Sequence, residues 1–323
     1  MKAIQWIISA LVAVVIIAAA VGGGVYFTRL KSIHSIRKLT DYENYNLYRM
    51  DIDYAYDLDR LIDRGITDNQ SMINAILAEA LPYLPIHMKA PNFGCSAFCT
   101  QGTDGHTLMG RNYDFKNDTS AMLVYCTPKD GYASVAFAAL DNINANTPDA
   151  SMAKKLATLT APFICLDGMN EKGVSIAVLT LDSDPTYQQT GKPMIATTLA
   201  IRLVLDRAAT TAEAVELLSK YDMFASSGRD YHFYITDASG DGRVLEYDCN
   251  DPARPLTATP SRSVTNFFVM YKDNVLPNQR NGVYGHGRER YDAIEEILDA
   301  NAGSIDREIA WQALQAASQA PNP

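Results

Sequence analysis

Basic charge is scarce in this chain. Lys and Arg number 28 against 37 Asp and Glu, giving a formal net charge of −9 over 323 residues. Nucleic acid is held by basic surfaces, so it is excluded as the main partner. Cysteines are also few: Cys95, Cys99, Cys126, Cys165 and Cys249, with no CxxC spacing. That pattern is neither a disulfide framework nor a zinc site, and no metal is expected. No GxGxxG, P-loop or HExxH occurs, and no motif implies a cofactor. Proline and glycine total 33, too few for a collagen-like or low-complexity chain. Apolar residues are plentiful at 47%, enough for one large core or two domains.

Charge is missing altogether from Ala3 to Thr28. At ~1.5 Å per residue a helix over this run would span a ~30 Å hydrocarbon layer. Residues 1–31 are therefore expected to be a membrane anchor or signal segment. The run exceeds a usual signal h-region, which favours a retained transmembrane helix. Lys2 flanks one side, and Arg29, Lys31, Arg37 and Lys38 the other. The positive-inside rule would keep the body in the cytoplasm. The short tail before the run is instead that of a signal anchor with the body outside. The expectation adopted is a membrane-anchored protein with its body outside the cytoplasm.

Residues 32–94 read as a separate, mostly helical leader. The stretch YENYNLYRMDIDYAYDLDRL suggests a polar or amphipathic helix, and Ser71 to Leu84 has apolar residues at helical spacing. Pro91, Asn92 and Gly94 then mark a loop. From Cys95 to the end the pattern changes to short strands, a helix pair, more strands and closing helices. Asn170, Glu171, Lys172 and Gly173 suit a tight hairpin turn, and Thr210 with Glu213 makes a capping box. Strands do not alternate regularly with helices, so the fold class is α+β: two antiparallel sheets with helices outside.

Cys95, behind Gly94 at the head of the first strand, is the leading chemical candidate, because a thiol is intrinsically nucleophilic. A buried core cysteine is the plain alternative. Cys99 would share its face, as a redox partner or half a metal site. Arg111 and Asp114 lie three apart on one strand, hence on opposite faces unless a bulge near Asn112 joins them. They would otherwise form a surface salt bridge. His232 could partner a cysteine as in a papain-like protease, or be structural. His106 falls in a turn.

The segment GCSAFCTQGTDGHTLMGRNYDF resembles the start of the mature chain in the choloylglycine hydrolase and penicillin V acylase family. It is also similar to the isopenicillin N acyltransferase and acid ceramidase groups. DGMNEKGVSIAVLTLD, VTNFF and RERYDAIEEIL resemble further family motifs. The resemblance implies a four-layer αββα fold of N-terminal nucleophile type over residues 95–323. It implies scission at Gly94–Cys95, with the leader a propeptide over the pocket and the freed amine of Cys95 as base. By the same resemblance Arg111 lies beside the thiolate, Asp114 orients the amine and Asn266 donates to the oxyanion. Arg290 completes the network, with Arg288 the other candidate for that position. Thr180 stands where bile-salt hydrolases carry Asn, a departure in the oxyanion hole or pocket. The function implied is an autoprocessed cysteine amidase cutting a small-molecule linear N-acyl amide. An acyltransferase with the same acyl-enzyme and an inactive membrane-tethered binding protein are the alternatives. Specificity is expected from the loops Asp141 to Lys154 and Asp182 to Pro193, and a homo-oligomer stays open.

Overall fold

The computed structural model describes residues 22–82, 94–114 and 118–319. The first 21 residues, which hold most of the charge-free run, lie outside the described residues. The helical stretch 22–34 (α1) follows them. Its Arg29 is buried and donates to the carbonyls of Ala80 (2.7 Å, Nε) and Glu79 (2.6 Å, Nη2). This end of the run is thus tied to protein by a cation. Among the described residues no helix is long and apolar enough to cross a membrane. The expectation of a membrane-anchored protein with its body outside the cytoplasm is corrected on that finding.

The described part of the leader holds strands as well as helices. Strands β1 (Arg37–Lys38) and β2 (Leu47–Ile52) precede α2 (Leu58–Asp63) and α3 (Asn69–Ala80). The tyrosine-rich stretch read as a helix contains β2, where Tyr48, Met50 and Ile52 are buried in alternation. That is the period of a half-covered strand. Helix α3 starts at a capping box between Asp68 and Ser71.

The remaining elements are β3 (Gly94–Gln101), β4 (Thr107–Asp114), β5 (Ala121–Cys126), β6 (Ser134–Ala139), α4 (Met152–Ala157), β7 (Cys165–Asn170) and β8 (Ser175–Leu181). After these come β9 (Met194–Ala196), α5 (Thr197–Arg207), α6 (Thr211–Leu218), β10 (Asp222–Phe224), β11 (Asp230–Thr236) and β12 (Arg243–Tyr247). The chain closes with β13 (Leu256–Pro260), β14 (Ser263–Val264), α7 (Arg288–Ala300) and α8 (Arg307–Ala316). Gly173, at φ +86°, makes the β7–β8 turn that the Asn-Glu-Lys-Gly sequence suggested. Thr210 accepts from the Glu213 amide as expected, but the Glu213 carboxylate reaches back to Ala209 rather than Thr210. Of the VTNFF motif only Val264 is strand, in the two-residue β14.

Two sheets carry the fold. A nine-stranded sheet runs β1-β2-β5-β6-β7-β8-β11-β12-β13, and a three-stranded sheet runs β14-β3-β4. β2 pairs with β5 in parallel over six residues, so the leader supplies an integral strand. Helices α5 and α6 pack on the outside of the large sheet, and α7 and α8 on the outside of the small one. β3 faces β8 across the middle. The order helix, sheet, sheet, helix is the expected αββα layering. Covered on both faces, β8 and β11 are buried at every residue. Three strands cannot cover nine. Where the small sheet ends at β4, the inner face of β5–β7 is left uncovered, and β5 alternates between buried and half-buried residues.

Candidate active site

Facing residues of an antiparallel pair project to the same side. β3 and β4 pair without a register shift, with Cys95 opposite Tyr113 and Ala97 opposite Arg111. Cys95, Arg111 and Tyr113 therefore point together between the sheets. The Cys95 side chain is fully buried, and Arg111 Nη2 lies 3.1 Å from its Sγ. The same nitrogen donates to the Val178 carbonyl on β8 (3.0 Å), while Nη1 pairs with Asp167 on β7. The guanidinium is thus fixed from both sheets at the thiol.

Asp114 obeys the odd spacing and sits on the other face. No bulge at Asn112 joins it to Arg111, as the sequence reading allowed; Asn112 instead donates to Ser96 Oγ (3.2 Å). Arg290, in the first turn of α7, draws the site together. Its Nη1 donates to the Cys95 carbonyl (3.2 Å) and lies 3.4 Å from Asp114 Oδ2, and its Nη2 donates to Asn266 Oδ1 (2.7 Å). Arg288 faces away, bonded to Asp292 and the Lys272 carbonyl. Gly287, at φ +89°, begins α7; a side chain there would run into the Arg290 guanidinium.

Asn266 accepts from the Cys95 backbone nitrogen (3.2 Å). Its Nδ2 donates to the Thr180 carbonyl (2.9 Å) and approaches the Thr180 hydroxyl (3.2 Å). The two residues expected at the oxyanion are thus adjacent, with the amide of one engaged by the other. All five residues of the expected catalytic set, with Thr180, meet around one thiol, and Gly94 leads into it along β3.

His232 does not join them. It is fully buried, with Nδ1 3.1 Å from Glu246 Oε1 and Nε2 2.9 Å from the Thr265 carbonyl. Neither ring nitrogen is available to a cysteine, which removes the papain-like reading. Cys99 contacts Thr236 Oγ1 at 2.9 Å. All five cysteines are free, and among the described residues no group of three or more acidic, His or Cys side chains could hold a metal.

Charge and burial oppose each other here. Burial pushes the Cys95 thiol up to about 11, the Arg111 cation pulls it back, and Asp114 adds to the rise. Burial raises the Asp114 carboxyl against the pull of Arg290 and Arg111. It raises Asp167 too, against Arg111. Burial lowers Arg290, against Asp114. In the uncut chain the thiol is thus protonated at neutral pH, and a base is needed to ionise it.

A cavity of about 850 Å³ lies between the sheets, on the uncovered inner face of β5–β7. Arg111 and Asp167 line it, so the group that touches the thiol also touches the cavity. Neither expected specificity loop, 141–154 or 182–193, contributes to its lining. No leader residue among those described contributes to it either. Asp167 and Gly287 are the residues that sequence reasoning missed. Asp167 stood in the quoted hairpin motif as its first residue, and only the two-sheet register reveals its partner.

Residues 95–251 match the family of linear amide C–N hydrolases, choloylglycine hydrolase family. That segment is just under half of the chain, and over it the chain is similar to linear amide C–N hydrolases. Among solved structures it is similar to an Arg-to-Leu variant of conjugated bile acid hydrolase from Clostridium perfringens. That match has 17% identity and a TM-score of 0.49, over 70% of this chain and 80% of the other. It is also similar to penicillin V acylase from Agrobacterium tumefaciens, at 16% identity and a TM-score of 0.40, over 72% of this chain and 65% of the other.

Proposed function

We propose that the protein is an autoprocessed cysteine amidase that hydrolyses a linear N-acyl amide through a thioester at Cys95. Scission of Gly94–Cys95 frees an α-amine at the position where the Cys95 nitrogen now meets Asn266 Oδ1 (3.2 Å). An α-amine has a pKa of ~7.7–8.0, suited to taking the thiol proton and returning it. The thiolate adds to the amide carbonyl, and the tetrahedral oxyanion collapses with loss of the protonated amine. Water then cleaves the thioester to the free acid.

Arg111 stabilises the thiolate. Asp114, held by Arg290, orients the amine. Asn266 and Thr180 supply the donors for the oxyanion once their mutual bond is exchanged for it. The observation that carries this reading is the Arg111 Nη2 to Cys95 Sγ contact of 3.1 Å, beside a residue whose backbone nitrogen and carbonyl are both read by site side chains. The test is acid release from a panel of N-acyl amides, with and without hydroxylamine. Wild type should release acid, divert part of it to the hydroxamate, and lose both in Cys95→Ala. Product that forms only when an amine is added assigns the acyltransferase instead. Undiminished hydrolysis by Cys95→Ala contradicts the mechanism.

A further inference from the structure

Two side-chain bonds join the end of β8 to the segment that carries Asn266. The first is made by the Asn266 amide, which donates to Thr180. The second lies just past the strand, where Asp182 Oδ2 meets His286 Nδ1 at 2.7 Å. The hydrogen bond from His286 holds the Asp182 carboxyl below the usual carboxylate range against its partial burial, and the Arg229 cation adds to that pull. An ionised carboxylate only accepts, so Nδ1 is the donor. His286 is in turn fixed to Asn266. Its backbone nitrogen donates to the Asn266 carbonyl (2.9 Å), the Phe268 nitrogen donates to the Tyr284 carbonyl (2.9 Å), and Gly285 bridges to Phe267. Gly285 stands at φ +104°, and a side chain there would run into the Asn266 carbonyl. Residues 284–286 thus lie against 266–268 as an antiparallel pair, and whatever holds His286 also holds Asn266. One residue on, Gly287 begins α7, the helix of Arg290.

The reaction treats these two joints differently. In the proposed mechanism the Asn266–Thr180 bond is given up when both donors turn to the oxyanion. The His286–Asp182 bond takes no part in that exchange. We propose that His286 and Asp182 are positioning residues, whose clasp keeps Thr180 and Asn266 at the spacing of the oxyanion while the bond between them is open. Both roles rest on the amidase reading above. The two side chains are 35% and 32% exposed, so their pairing adds little to the stability of the fold. Its loss is felt instead in the transition state, where a displacement of ~1 Å costs about a hundredfold in rate.

The test is kcat and KM for acid release from the best N-acyl amide of the panel, beside thermal unfolding. His286→Ala and Asp182→Ala should each lower kcat about ten- to a hundredfold, leave KM within about twofold and barely move the unfolding midpoint. The double variant should be no slower than either single one, because the same bond is lost in all three. His286→Asn, whose amide nitrogen can take the place of Nδ1, should recover most of the kcat. Unchanged kcat, a loss confined to KM, additive losses in the double variant or no recovery in His286→Asn overturns the clasp and leaves the amidase standing. A wild type that releases no acid, or releases it equally as Cys95→Ala, overturns the amidase and the clasp with it.

Discussion

At the scale of single residues, the site is a problem of ionisation. A thiol that burial holds near 11 would be inert at neutral pH despite its arginine neighbour. If the freed amine is the base, kcat/KM is low when that amine is protonated. It rises through an apparent pKa of about 7.7–8 and levels above it. A profile still climbing toward pH 11 would mean that the thiol ionises unaided. Arg290 makes the second test. One guanidinium serves Asp114, Asn266 and the Cys95 carbonyl, a geometry that a lysine ammonium cannot reproduce. Arg290→Lys should keep the fold by circular dichroism yet lose at least about tenfold in kcat/KM, comparable to removing a preorganised polar contact. Full activity would show that the link is structural only.

The elements show which parts of the fold were legible in the sequence and which were not. The hairpins β3–β4 and β7–β8 were readable because turn chemistry and alternation agree in each. The candidate site residues were readable through the resemblance to a known family, since residue spacing alone left Arg111 and Asp114 on opposite faces. That geometric reading was right: the two are joined only through Cys95, whose thiol meets Arg111 and whose carbonyl meets Arg290, 176 residues beyond its partner Asp114. β2 was hidden because its inward side begins with Tyr48 and its outward side sets Leu47 beside Arg49 and Asp51, which obscures a two-residue period. The cavity was hidden for a different reason. It follows from the unequal size of two sheets, which no local pattern encodes. The strand assignment of the leader carries its own prediction: Met50 is fully buried in β2, so Met50→Ala should cost about 2–5 kcal/mol in urea unfolding. A detachable cover would show almost no change.

At the scale of the whole molecule, the leader and the catalytic region form one body. β2 lies inside the large sheet between β1 and β5. Tyr54 donates to the Leu159 carbonyl, Tyr56 lies 3.1 Å from both oxygens of Asp206, and Asp59 pairs with Arg207. Scission at Gly94–Cys95 would thus yield two chains that stay together. The most direct measurement is intact mass of the expressed protein, taken denatured and then native. The account predicts a denatured fragment beginning at Cys95, absent in Cys95→Ala, and a native mass that still includes the leader. A single uncut chain that hydrolyses amides would contradict it.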